Sequence, residues 1–180
     1  MFQFEPSIAI YLIIFILPAY AANAAPVLLG GLYPIDAGKK FFDKRPIFGK
    51  GKTWLGIAGG MGAGLLVAAL EAYLLPSTQF DIFGSKPALY LLAGALLSAG
   101  ALFGDLAGSF IKRRLAIPSG KPSFLDQLTF LFGALLFAFP FGFGMALEGA
   151  NLIFLIIITY LIHRGANLAA HFIGIKKVPW

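Results

Sequence analysis

Asp105 stands inside the long apolar run from Ala88 to Ile111, about two helical turns before Lys112. A carboxylate at that depth in a membrane helix costs about 2.5 to 3.5 kcal/mol on insertion scales unless a cation meets it or it faces a wet cavity. At about 100° per residue, Ser109 lies about 40° round the helix from Asp105 and Lys112 about 20° the other way, so all three share one face, flanked by Arg113. An intrahelical ion network, with Asp105 neutralising a neighbour on its own helix, is the plainer alternative. Asp126 follows in Ser123-Phe124-Leu125-Asp126, a capping box that opens the next apolar run. The segment between the runs is short enough to hold the two helices side by side and bring Asp126 to the mouth of a cavity that Asp105 reaches. Two carboxylates converging beside Lys112, Arg113 and Arg114 form the set with which proteins hold Mg²⁺ together with phosphates. The same Lys-Arg-Arg triplet also serves as a stop signal at a membrane boundary.

A second set lies upstream, in Phe48-Gly49-Lys50-Gly51-Lys52-Thr53-Trp54. Its glycines let backbone approach an anion, its lysines supply charge, and Thr53 leads into a helix N-terminus, so it has the outline of a phosphate site. It is not a Walker A loop, because Pro46 stands where the first glycine is required and no strand precedes it. A basic juxtamembrane segment lying on anionic lipid is the competing explanation. Arg164, in the last apolar run, either snorkels to the interface or meets a lipid phosphate.

The elements that must position these residues follow from composition. Of 180 residues, 59% are hydrophobic and 12% charged, with a mean hydropathy of +0.85. Soluble domains carry roughly twice that charged fraction, about 25%, so an ordinary polar surface is excluded. The chain is expected to be an all-α polytopic membrane protein, a single membrane domain over 1–180. The absence of cysteine excludes disulfides, a thiol nucleophile and thiolate metal sites, and two histidines leave little for zinc, so a metal must sit on oxygen. The net charge of +6 points to basic cytoplasmic loops rather than to nucleic acid.

Five runs reach the length that a bilayer demands: 8–25, 55–75, 88–111, 124–146 and 151–172. The first has no basic segment before it and is expected to be retained rather than cleaved. Segments 26–54 and 112–123, with the last helix and tail, hold every one of the 14 basic residues except Lys86. Glu5, Glu71, Asp81 and Glu148 fall toward the other side. This asymmetry predicts five helices in the plasma membrane with the N-terminus outside and the C-terminus cytoplasmic. The glycines at 56, 59, 60, 62 and 64 are spaced for close helix contact.

Gly104-Asp105-Leu106-Ala107-Gly108-Ser109-Phe110-Ile111-Lys112-Arg113, followed by Phe124-Leu125-Asp126-Gln127, resembles the signature of the phosphatidate cytidylyltransferase superfamily. Lys52-Thr53-Trp54-Leu55-Gly56 is similar to that family's upstream motif. Small size, five helices and the setting of Asn23, Asp36, Lys39, Arg45 and Pro46 resemble its archaeal branch, the CDP-archaeol synthases. The resemblance implies CTP-dependent activation of an ether-linked glycerophosphate lipid, with release of pyrophosphate, at a site facing the cytoplasm. It implies that Asp105 and Asp126 bind magnesium, and that Lys112 acts in catalysis. Lys52, Thr53, Ser109, Lys112, Arg113, Gly120 and Lys121 would contact nucleotide phosphates, with Gln127 a further candidate beside the residues of the archaeal setting. Two departures stand out. Ser119-Gly120-Lys121-Pro122-Ser123 replaces a Pro-Gly-His-Gly-Gly run, and Thr129 stands near where the bacterial pattern has another aspartate.

Two other classes compete. A small anion transporter or channel needs a polar stripe reaching the outer face, yet Tyr90 to Ala101 holds only small or apolar residues besides Tyr90 and Ser98. CDP-alcohol phosphotransferases require an Asp-x-x-Asp-Gly motif, which the chain lacks.

Overall fold

The computed structural model describes residues 6–29, 31–121, 123–141 and 144–175. Glu5, Lys176 and Lys177, used in the charge argument, lie outside the described residues. Among those residues the fold is all-helical, with two isolated bridges, Pro34 to Thr53 and Lys40 to Pro46, and no strand. Helix α1 (Pro6–Ala24) is followed by a single turn, α2 (Pro26–Leu29); α3 (Trp54–Leu74), α4 (Pro87–Arg114), α5 (Leu125–Ala138) and α6 (Gly149–Phe172) complete the set. Four helical stretches, built on α1, α3, α4 and α6, are long and apolar enough to cross a membrane.

The expected fourth span, 124–146, is not one continuous α-helix. Its α-helix has 14 residues, about 21 Å at 1.5 Å per residue, against about 30 Å of hydrocarbon. Pro140 lacks the N–H that would continue the helix, and its ring crowds the carbonyl four residues back. The chain proceeds instead as two 3₁₀ turns, Phe139–Phe141 and Gly144–Leu147. This shorter helix and its extension still run the length of the bundle: Asp126 at one end bonds Lys112, while the Phe141 ring at the other meets Phe83, 6.3 Å between centroids.

Small residues set the helix spacing. On α4, Gly100 and Gly104 face Gly133 and the Thr129 backbone of α5 so closely that a Cβ on either would overlap a carbonyl. On α3, a Cβ at Gly60 would stand 2.6 Å from Ala22 O. Gly56, Gly59 and Gly64 are likewise contact positions, whereas Gly62 faces open space. Around this spine a core of Leu12, Phe15 and Ile16 from α1, Leu97 and Ala101 from α4, and Phe130, Leu131 and Ala134 from α5 is buried. The exposed apolar side chains form helical stripes, such as Ile153, Ile157 and Leu161 on α6, as lipid-facing surfaces do. The close α4–α5 contact is what positions the site, because Asp105 follows Gly104 and Asp126 lies one turn before Phe130.

Candidate active site

One face of α4, the start of α5 and the ends of two loops wall a cavity of about 300 Å³. It gathers Asn23 from α1, Lys52 from the first loop, Asp105, Ser109, Lys112 and Arg113 from α4, Gly120 and Lys121, Asp126 and Gln127 from α5, and Arg164 from α6. The shared helical face inferred from the spacing of Asp105, Ser109 and Lys112 is therefore present.

The cations do not pair as an intrahelical network. Lys52 Nζ, from the loop, donates to Asp105 Oδ2. Lys112 Nζ lies 2.9 and 2.8 Å from the two oxygens of Asp126 and donates to Lys121 O at 2.7 Å. Asp126 serves two structures at once, since its Oδ2 also accepts from Ser123 N at 3.0 Å, the backbone half of the capping box. Arg113 is buried; its Nη2 donates to Pro118 O at 3.2 Å, and its Nε has no hydrogen-bond partner among the described residues. Gly49 is required beside it: φ is +98°, and a Cβ would stand 3.2 Å from both Arg113 Nη1 and Ser119 Oγ.

Thr53 and three of the further candidates, Asp36, Lys39 and Arg45, do not line this cavity. Thr53 is buried, and its Oγ1 accepts from Gly56 N at 3.1 Å as the N-cap of α3, which satisfies an otherwise orphan helix donor. Asp36 is the hub of the first loop, its carboxylate accepting from Gly38 N, Phe48 N and Gly49 N at 3.0, 3.0 and 2.9 Å. Burial would raise its pKa, but the Gly49, Phe48 and Gly38 donors outweigh burial and hold it below the usual aspartate value. Arg45 donates to Arg114 O and so satisfies the end of α4. Lys39 is exposed, its N–H bonded to Asp36 O at 2.7 Å. The loop is strapped to α4 by Arg114, whose guanidinium lies over Phe41 and Phe110, 4.9 and 4.8 Å from the ring centroids, with Nε 3.1 Å from Asp43 Oδ2. Asp36 and Arg45 thus shape the loop that presents Lys52, and they line an adjoining cavity of about 550 Å³ that shares Arg113 and Ser119 with the one Lys52 lines.

The donor set suits magnesium held jointly with phosphates. Among the described residues no three or more His, Cys, Asp or Glu converge as a self-sufficient metal site. Thr129 uses its hydroxyl on Leu125 O at 2.7 Å and supplies no third carboxylate. Two carboxylates in one cavity match Mg²⁺, which takes its remaining oxygens from substrate phosphates and water.

His163 and Asn167, polar residues of the last apolar run to which the sequence assigns no role, also line the cavity. His163 Nδ1 lies 3.3 Å from the Gln127 amide and 3.2 Å from that of Asn167, and its ring stacks on Phe130. Their signal was available: polar residues at i and i+4 in an apolar helix face the bundle interior.

Fold and site define a multi-pass membrane protein with a cation-rich, two-carboxylate cavity at one end of its helices. The family model for CarS-like CDP-archaeol synthases matches residues 6–180. The chain is 52% identical over 167 residues to the CDP-archaeol synthase of Thermococcus gammatolerans, covering 92% of this chain and 93% of that one. It is 48% identical to the one from Methanococcus aeolicus, with 95% and 98% covered. A solved structure described as an intramembrane enzyme for archaeal membrane lipids biosynthesis superimposes with a TM-score of 0.72 at 36% identity, over 86% of this chain and 91% of that one. The chain belongs to the CDP-archaeol synthase family.

Proposed function

We propose that this protein transfers the cytidylyl group of CTP to an ether-linked glycerophosphate lipid, unsaturated archaetidic acid, forming CDP-archaeol and releasing pyrophosphate. One observation carries this: Asp105 and Asp126 converge with Lys52, Lys112, Arg113 and Lys121 in a cavity at one end of a membrane bundle. Relatives named for CDP-archaeol synthesis support the choice of nucleotide and lipid.

A phosphate oxygen of the lipid attacks the α-phosphorus of CTP. The bond from that phosphorus to the bridging oxygen breaks, and pyrophosphate leaves with the electron pair. The nucleophile is already an anion at neutral pH, so no general base is needed. Lys52, Lys112 and Arg113 orient the triphosphate and offset charge gathering on the leaving group. Asp105 and Asp126 would hold Mg²⁺, which when bound neutralises phosphate oxygens and polarises the reacting phosphorus.

A second, apolar cavity of about 290 Å³, walled by residues such as Tyr20, Ala24, Phe130 and Ile162, shares Asn23, Val27, His163 and Asn167 with the polar one. This common wall supports a lipid whose phosphate lies on the polar side and whose chains lie on the apolar side. Tyr11 donates to Gln79 O at 2.6 Å, so the start of α1 and the 75–86 segment share one end of the bundle. The polar cavity and its basic loops occupy the other. The positive-inside rule makes that end cytoplasmic, giving five passes, an outer N-terminus and a plasma-membrane site open to CTP. The transporter or channel alternative finds no support. Ser98 is fully buried with its hydroxyl on Gly94 O at 2.6 Å, and the Tyr90 hydroxyl is committed to Asp81 at 2.8 Å.

Vesicle-embedded protein given cytidine-labelled CTP and Mg²⁺ should move label into solvent-extractable product with glycerol-based lipid monophosphates of either ether or ester linkage, within about tenfold of each other. The dephosphorylated diether should remain unlabelled. Label on that neutral alcohol, or equal reaction of glycerol phosphate without tails, would contradict the proposal.

A further inference from the structure

Resting on the nucleotidyl transfer proposed above, we infer that Lys52 and Lys112 are tethered competitors for the divalent cation, so that the cavity takes the metal only together with the nucleotide. Each carboxylate available to a metal is already bonded to an ammonium: Asp105 to Lys52, and Asp126 through both oxygens to Lys112. These pairs are half-buried or better, with side-chain exposures of 27% and 17% for the first and 7% and 26% for the second, so water screens them weakly. A divalent ion arriving alone must displace both ammonium groups. It must also enter a cavity lined by five cationic side chains, Lys52, Lys112, Arg113, Lys121 and Arg164, against the two carboxylates.

A triphosphate reverses this balance. Its anionic oxygens offer the ammonium groups new charge-assisted partners, the flexible lysine stems can follow them, and the released carboxylates turn to the ion. The same phosphates supply the oxygen ligands that the protein lacks, since among the described residues no three His, Cys, Asp or Glu side chains stand close enough together to hold a metal ion. Metal and nucleotide then bind with positive coupling, and linkage requires that each raise the other's affinity by the same factor.

Equilibrium dialysis of the intact, detergent-solubilised protein measures this without turnover, using Mn²⁺ as the metal probe and the unreactive α,β-methylene analogue of CTP. The wild type should retain little Mn²⁺ alone, and Mn²⁺ and analogue in equal numbers when both are supplied. Lys112→Ala should bind Mn²⁺ alone about tenfold more tightly than the wild type, with a smaller boost from nucleotide, and Lys52→Ala should move the same way. The two variants test separate pairs, so misfolding of one leaves the other decisive. Stoichiometric Mn²⁺ on the wild type without nucleotide would overturn the inference, as would variants that lose nucleotide yet gain no metal affinity. Failure of the wild type to bind the analogue under any condition would instead overturn the nucleotidyl-transfer proposal on which the inference depends.

Discussion

Asp36 and Asp81, in loops, and Asp105 and Asp126, in the cavity, show two ways of housing a carboxylate. Asp36 is held by three backbone N–H groups. Asp81 is held by Ser85 Oγ at 2.7 Å, Tyr90 Oη at 2.8 Å and Phe83 N at 3.2 Å. Their donors are fixed by the fold, so these carboxylates are fasteners. The cavity pair is met by lysines on four-carbon stems beside open space, with a backbone donor, Ser123 N, also on Asp126, and a lysine partner can be exchanged when a phosphate arrives. Hydrogen-bond number therefore says less about function than whether the donor can leave.

The sharpest way to break this contrast is at the cavity pair. Asp105→Asn and Asp126→Asn should each lower Mg²⁺-dependent transfer by at least about a thousandfold, roughly 4 kcal/mol of transition-state stabilisation. The folded, extractable protein should persist. Near wild-type activity in Asp126→Asn would reduce that residue to its capping role. Next in size, Lys52→Ala and Lys112→Ala should chiefly weaken CTP use, since each removes a charge-assisted bond worth about 1.5 to 3 kcal/mol. A CTP titration at fixed lipid would show it.

The fasteners should respond differently. Asp36→Ala strands three loop donors and should weaken CTP use by about tenfold through displacement of Lys52, whereas Asp36→Asn, which keeps an acceptor, should lose less. Asp36 has a folded pKa below its unfolded value, so its stabilisation is complete above the unfolded value and vanishes as pH falls through the folded one. The fluorescence of Trp54, with Trp180 replaced by Phe, should report an acid transition below the ordinary aspartate range that Asp36→Ala abolishes. Smallest of all, Asp81→Asn should leave transfer within about twofold of wild type while lowering the melting temperature slightly, because its loop lies at the end away from the cavity.

These roles were unequally legible in the sequence. The helical face shared by Asp105, Ser109 and Lys112 followed from the 100° periodicity, and the apolar runs followed from length, because neither depends on distant contacts. The partner of Asp105 did not follow: Lys52 reaches it from 53 residues away, through a loop whose shape depends on Asp36 and Arg114. Thr53 looked like a phosphate ligand because N-caps and anion sites favour the same residues, and only burial separates them. The break in the fourth apolar run was written in Pro140, but a hydropathy window averages over a single proline.

The reaction proposed for this cavity carries the α-phosphate of CTP, and no other, onto a lipid phosphate. Parallel incubations with CTP labelled at the α or the γ phosphorus, Mg²⁺ and an archaeol phosphate in vesicles test it most directly. α label should enter the lipid extract while γ label stays in water as pyrophosphate, with lipid label and labelled pyrophosphate both lost in Asp105→Asn. Lipid carrying γ label, or carrying none from either nucleotide, would contradict it.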